Sequence, residues 1–321
     1  MKAIRVHHTG DPDVLQLEEV PDLHAGPNQV VIKVEAAGVN PVETYIRSGR
    51  YPMKAPLPYT PGSDAAGTVA QVGEGVSDWN IGDRVFTGRV LSGSYAEYAL
   101  CAADMVFRLP DNVSFEQGAA LGVPYATAHR ALFGKANAKK GESVFIHGAT
   151  GGVGVAAIQL ARAAGLTVGG SAGSREGERF LESLGLRYTT NHNADNYLSD
   201  VIGMTCGRGF DIILEMLANQ NLASDPEALA PHGRIVVIGN RGTVEVNPRD
   251  WMSKDATIYA MTLFNTPHEE LRGIYQSLVQ GLESGSLKPQ IDKTFYLDEA
   301  PQAHEAVLAP GSRGKIILTT T

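Results

Sequence analysis

Cysteine is nearly absent from this chain: 321 residues carry only Cys101 and Cys206. That count excludes a disulfide framework, and two thiols so far apart in a large chain read as free groups in a reducing compartment. Long apolar runs are missing too. None reaches the roughly 18 residues of a membrane span, and the opening MKAIRVHHTG lacks the apolar segment of a secretory signal. These absences point to a soluble cytoplasmic protein with no membrane partner. Basic residues are in deficit, 27 against 35 acidic, for a net charge of -8. Such a surface repels phosphate backbones and weighs against a protein built for nucleic acid. There is no internal repeat, low-complexity tract or long charge run.

What is present is ordinary globular material: 43% apolar and 19% charged residues, with 36 glycines and 17 prolines to turn the chain between many elements. The length exceeds a single domain of about 150 residues, so two domains are expected. The first third reads as short strands bounded by turn residues, over Ala3–His7, Val30–Ala36, Gly67–Val72, Gly82–Phe86 and Gly93–Leu100. One helix, Pro41–Gly49, interrupts them, with proline at its start and glycine at its end. The pattern changes near Glu116. Gln117–Phe133 has helical spacing, and from Ser143 strands and helices alternate: SVFIHG, GVGVAAIQLARAAG, LTVGGSA, EGERFLESLG, FDIILEM, GRIVVIG and TIYAMTLF. Alternation of this kind predicts an α/β fold, a doubly wound parallel sheet with helices on both faces. After Phe264 come an amphipathic helix, His268–Gly285, a shorter helix in DEAPQAHEAVL, and a last strand, GKIILTT. Local pattern does not say whether this tail extends the sheet or returns to the N-terminal part.

The segment Ser143–Arg175 carries the chemistry. A strand runs into GATGGVG, Gly148–Gly154, and an amphipathic helix follows. A pyrophosphate binds where free N–H groups and the helix dipole favour negative charge, and side chains would block its approach. Against G-x-G-x-x-G the chain reads Ala149-x-Gly151-x-x-Gly154, with the first glycine replaced. Readers of NAD hold the ribose with an acid at the end of the next strand. Here Gly173, Ser174 and Arg175 stand there, a set suited to the 2′-phosphate of NADPH. A shift of one residue would bring Glu176 into that place and restore an acid. Arg179 reads equally as a solvated helix charge. Ile238, Gly239, Asn240 and Arg241 end one sheet strand, where open α/β sheets bind ligands, and Thr262, Leu263 and Phe264 end the next, toward the nicotinamide. Tyr51 and Tyr125 are candidates to line a substrate pocket, each balanced against a core role. Lys315 either reaches a phosphate or is a solvated charge.

Together with AAGVNPVETYIRSGRYP, TPGSDAAGTVAQVGEGV, GDRVF, GSYAEYAL, DIILEMLANQNL, GNRGTVEVNPRD and MTLF, in order along nearly the whole chain, these motifs resemble the quinone oxidoreductases of the zeta-crystallin type. The resemblance implies a GroES-like, mostly β catalytic domain over 1–123 and 265–321. It also implies a Rossmann dinucleotide-binding domain over 124–264 and NADPH-dependent reduction of quinones. Zinc-dependent relatives carry a cysteine near the first helix and a histidine in a G-H-E segment. Here AGVNPVETY has no cysteine and Ser63 stands for the histidine, while two cysteines cannot form a four-thiolate site. No metal is expected. The resemblance further assigns Asn40 to the nicotinamide end and Tyr45 to a cofactor contact and possible proton donor. Thr150, Gly151, Gly152 and Val153 become the phosphate turn, Gly173 and Arg175 the ribose-phosphate end. His192 becomes an adenosine contact or a surface loop histidine, and Asn221 a cofactor contact or a helix N-cap. His147, on a strand before the turn, reads as structural.

Without a metal Lewis acid an ordinary ketone is weakly polarised, so an already electrophilic quinone is the expected acceptor. An alkenal or enone reductase uses the same parts. A rival of another class is the NADPH-binding structural or RNA-binding protein of the zeta-crystallin kind. A homodimer or homotetramer is implied by the resemblance, with TIYAMTLF as the pairing strand.

Overall fold

The computed structural model describes residues 1–195 and 197–320. Along the chain the strands are β1 (Lys2–Arg5), β2 (Gln16–Glu19), β3 (Gln29–Val39), β4 (Asp64–Val72), β5 (Arg84–Thr87), β6 (Tyr98–Ala102) and β7 (Phe107–Arg108). Then follow β8 (Ser143–Ile146), β9 (Thr167–Ala172), β10 (Tyr188–Asn191), β11 (Phe210–Glu215), β12 (Leu229–Val237), β13 (Thr257–Ala260), β14 (Ile291–Tyr296) and β15 (Lys315–Thr319). Two compact units result, Met1–Pro124 with His268–Thr321, and Tyr125–Pro267.

The first unit is GroES-like. Its seven-stranded sheet has the order β14-β15-β3-β4-β5-β7, with β6 also on β3. Strand β3 is the spine because Val30, Ile32 and Val34 alternate into a core shared with Ile4, Val85, Ala99 and Ile316. Strand β15 runs antiparallel to β3, pairing Ile316 with Val39, and β3 pairs Gly38 with Asp64 on β4. Three strand ends therefore meet, bringing Asn40, Asp64 and Lys315 together. The tail's last strand thus rejoins the N-terminal part.

The second unit is a six-stranded parallel sheet in the order β10-β9-β8-β11-β12-β13. Counted from β8 this is 3-2-1-4-5-6, the doubly wound order, and the strand order reverses between β8 and β11. Phe145, Phe210, Ile213, Ile235 and Trp251 fill one core cluster of this unit. Among the described residues no helix is long and apolar enough to cross a membrane.

The expected helix Gln117–Phe133 is three pieces instead: Phe115–Ala119, Gly122–His129 and a π-helical turn Arg130–Lys135. The break has local causes. The Val123 N–H bonds the Asp64 carboxylate at 2.7 Å rather than a helical carbonyl, and Pro124 has no N–H to give. A Cβ on Gly122 would sit 2.2 Å from Asp64 Oδ1, so the chain passes this carboxylate only as glycine.

Candidate active site

In the second unit the dinucleotide-type turn is built from what its glycines permit. Gly148 adopts a φ of 55°, a left-handed conformation that favours glycine. A Cβ on Gly154 would lie 2.4 Å from the Ala149 carbonyl oxygen, so only glycine lets the helix pack this closely on the turn. Helix Gly152–Ala163 begins at Gly151 with no side-chain cap. Its first N–H groups lack the intrahelical acceptors that later turns have. Thr150, Gly151, Gly152 and Val153 are half-buried around that end. Uncapped donors, the helix dipole and an open glycine surface fit a phosphate group.

Strand β9 ends at Ala172, and Gly173 and Ser174 follow it. Ser174 caps the helix Arg175–Ser183 by accepting from the Gly177 N–H at 3.2 Å. No carboxylate stands at the strand end. Glu176 lies in the first turn of that helix, one residue after Arg175 at its start. The Arg175 side chain is 65% exposed and only loosely paired, 3.5 Å from Glu178 and 3.8 Å from Glu182. Arg179 is exposed. His192 is exposed, in the turn beside Gly173. Its Nδ1 lies 3.3 Å from Ser171 Oγ, and burial, then the charge of His147, lowers its pKa and keeps it neutral.

Asn221 ends the helix Ala218–Asn221 rather than capping its start, and its amide donates to Glu215 Oε1 at 3.1 Å. Ile238 and Gly239 are half-buried just past β12, and Asn240 and Arg241 are exposed. Thr262, Leu263 and Phe264 lie past β13, where the Thr262 carbonyl accepts from Arg130 at 2.9 Å. All of these positions stand at the carboxyl ends of the parallel strands, where such sheets bind ligands. Tyr125 is a buried side chain rather than an open surface. It is 2% exposed, and its hydroxyl donates to Gln159 at 2.9 Å.

The first unit holds a buried polar network. Asn40 Nδ2 donates to Asp64 Oδ2 at 2.9 Å and Glu43 Oε1 at 3.3 Å, while Lys315 Nζ donates to Asn40 Oδ1 and, at 2.9 Å, to Asp64 Oδ2. Glu43 also accepts from the N–H groups of Asn40 and Ser63 and, at 2.7 Å, from the Tyr95 hydroxyl. Burial, then the charge of Asp64, pushes the Glu43 carboxyl upward against the pull of Lys315 and these donors. Next to Tyr95, His304 is pushed down to about 3 by burial and then by Arg47, so it is neutral.

This network corrects the reading of Lys315. Lys315 is not a solvated charge: its side chain is 4% exposed and its ammonium is committed to Asp64 and Asn40 rather than to a phosphate. The Asn40 amide bonds Glu43, Asp64 and Lys315 inside the unit and anchors the helix Pro41–Arg47. That helix carries Tyr45, half-buried, whose carbonyl accepts from the Arg50 and Tyr51 N–H groups and so sets the half-buried Tyr51. Sequence reasoning singled out neither Glu43 nor Asp64. An acid opening strand β4 inside the apolar run DAAGTVAQV was the available signal, since an unpaired charge is seldom buried.

Ser63, where zinc-dependent relatives place a histidine, gives its N–H to Glu43. Cys101 is buried in β6 and Cys206 is exposed, both as free thiols. Among the described residues one group of three metal-type side chains exists, His147, Glu215 and Asp225, all buried. His147 Nε2 lies 2.8 Å from Asp225 Oδ1, a direct hydrogen bond. Ligand atoms around a tetrahedral zinc, each about 2.0 Å from the ion, stand about 3.3 Å apart. The histidine and the aspartate are closed on each other.

Comparison with known proteins agrees with this architecture. Residues 26–111 match the alcohol dehydrogenase GroES-like domain, and residues 152–280 match the family model named zinc-binding dehydrogenase. The quinone oxidoreductase of Mus musculus is 50% identical and that of Homo sapiens 48% identical, each match covering 99% of this chain and 97% of the relative. The crystal structure of Escherichia coli quinone oxidoreductase complexed with NADPH superposes with a TM-score of 0.89 at 29% identity. That match covers 99% of this chain and 100% of the other. A GroES-like unit, a doubly wound unit with a glycine-built turn, and about half-identical relatives matched over nearly the full length lead to one conclusion: the chain belongs to the zeta-crystallin-like quinone oxidoreductase family of the zinc-independent medium-chain dehydrogenases/reductases.

Proposed function

We propose that this protein is an NADPH-dependent quinone reductase that transfers hydride without a metal. The observation that carries the reading is the β9 end, where Gly173, Ser174 and an exposed Arg175 replace the carboxylate of NAD readers. The Arg175 pairs with Glu178 and Glu182 are loose surface contacts worth at most about 1 kcal/mol. A doubly charged 2′-phosphate at the capped helix end outcompetes them. Thr150 to Val153 hold the pyrophosphate on the uncapped N–H groups, and Gly173 lets the adenosine ribose approach the chain beside His192. Asn221, Ile238–Arg241 and Thr262–Phe264 receive the nicotinamide half. Bound there, NADPH supplies a hydride to an acceptor that is already electron-poor. The protein's share is to hold donor and acceptor together, exclude water and provide a proton from the Tyr45 hydroxyl or a water. Hydride on the quinone and a proton on the resulting oxyanion balance the two-electron reduction to hydroquinone.

The protein acts in the cytoplasm, a compartment compatible with two free thiols. It works as a homodimer or homotetramer, paired along β13. That strand is an outer strand of its sheet. The unit also exposes Ile258 on β13, with Met252 and Phe264 near it in sequence, a liability unless covered.

The acceptor class is tested by offering 9,10-phenanthrenequinone and an alkyl enone in competition, with product identified. Hydroquinone as the main product supports the proposal. Saturated ketone alone would make the enzyme an ene-reductase on the same fold.

A further inference from the structure

Strands β8 and β11 flank the point where strand order reverses, and the side chains at their carboxyl ends are His147 and Glu215. Glu215 is wholly buried, with 0% exposure. Its Oε1 accepts from the Leu217 N–H and, at 3.1 Å, from the Asn221 amide. Its Oε2 faces His147 Nε2 at 3.7 Å, and that ring is held by Asp225 at 2.8 Å. The Glu215 carbonyl accepts from the N–H groups of Ile238 at 2.9 Å and Gly239 at 3.2 Å. Two further bonds, Ala218 N–H to the Gly239 carbonyl at 3.0 Å and Arg241 N–H to Asn219 Oδ1 at 3.0 Å, tie the two turns together. One residue thus holds, by side chain and main chain, both turns that carry Asn221 and Ile238–Arg241.

A carboxylate at zero exposure is costly, and a leucine would fill the same space. Packing alone therefore does not account for it. The imidazole between two carboxylates offsets the buried charge, and the carboxylate's remaining donors are the groups that orient the ligand turns.

We propose that Glu215, backed by the His147–Asp225 pair, is a positioning residue that fixes the Asn221 amide and the Ile238–Arg241 turn to receive the nicotinamide half of NADPH. This rests on the NADPH-dependent reading above.

The test is NADPH fluorescence titration and steady-state kinetics on the full chain. Glu215→Ala should raise the Kd and KM for NADPH about tenfold, the size expected when a hydrogen bond to a charged group is lost, with the quinone KM unchanged. Glu215→Gln, which keeps an acceptor for Leu217 and Asn221, should restore affinity to within about threefold. The double variant with Asn221→Ala should cost no more than the larger single change. Wild-type affinity in Glu215→Ala, or multiplying losses in the double variant, overturns the inference. If Glu215→Ala does not fold, Asn221→Asp decides. A carboxylate set against Glu215 should weaken NADPH more than Asn221→Ala does, and equal losses overturn the inference. Failure of the wild-type chain to bind NADPH overturns the cofactor reading and this inference together. Binding by the wild type with unaltered variants overturns this inference alone.

Discussion

Lys315 shows how much one side chain can organise. Its ammonium is the cation of a network holding two acids, Glu43 and Asp64, in the interior of the first unit. Removing one partner of a buried pair leaves the other charge unpaired, a loss of about 3–5 kcal/mol. Asp64 keeps the Asn40 amide and the Val123 N–H as donors. Lys315→Met is therefore expected at the lower end, about 3 kcal/mol by urea unfolding. Adding Asp64→Asn should recover part of it. A loss below about 1 kcal/mol would place the pair among weakly coupled surface ions. This role was hidden in the sequence because Asn40, Asp64 and Lys315 are joined by strand register, not by spacing. The strand–glycine turn–helix unit was legible because its physics is local: glycines, a preceding strand and a following helix lie within one short segment.

At the scale of elements, the ends of β8 and β11 make a pH-sensitive joint. Burial pushes the Glu215 carboxyl up to about 7 from its ordinary 4.5. Burial lowers the His147 ring, but the bond to Asp225 and the charges of Asp225 and Glu215 outweigh it and raise the net value. Both groups bind their protons more tightly folded than unfolded. The stability they contribute is complete below about pH 4.5 and is lost as pH rises through about 7. The thermal midpoint should fall between about pH 6 and 8, and Glu215→Gln should flatten that fall. Equal slopes in the two proteins would contradict a titrating joint. Elements with strong periodicity were read correctly from sequence: β3, β8, β11 and the helices Gly152–Ala163 and His268–Glu283. Four strands were missed, β2, β7, β10 and β14; the last two escape because YTTN and IDKTFY lack an apolar stripe and are strands only through β9 and β15 beside them. The helix Gln117–Phe133 was read as continuous because apolar spacing does not register an N–H diverted to Asp64.

At the scale of the molecule, the two sheets divide the labour the sequence pattern suggested. A mostly β unit closes on its own C-terminal strand, and a parallel unit carries the glycine turn Gly148–Gly154 at its switch point. The doubly wound class followed from alternation of strands and helices, whereas the buried triad at the switch point is assembled from residues far apart in sequence. The central claim is that this architecture runs hydride chemistry from NADPH with no metal. The most direct measurement is the initial rate of NADPH oxidation with 9,10-phenanthrenequinone, with and without prolonged EDTA treatment, against NADH at equal concentration. The account predicts a rate unchanged by EDTA and at least about tenfold higher kcat/KM for NADPH than for NADH, the value of one charge-assisted phosphate contact. Loss of activity on chelation, or equal use of NADH, would contradict it.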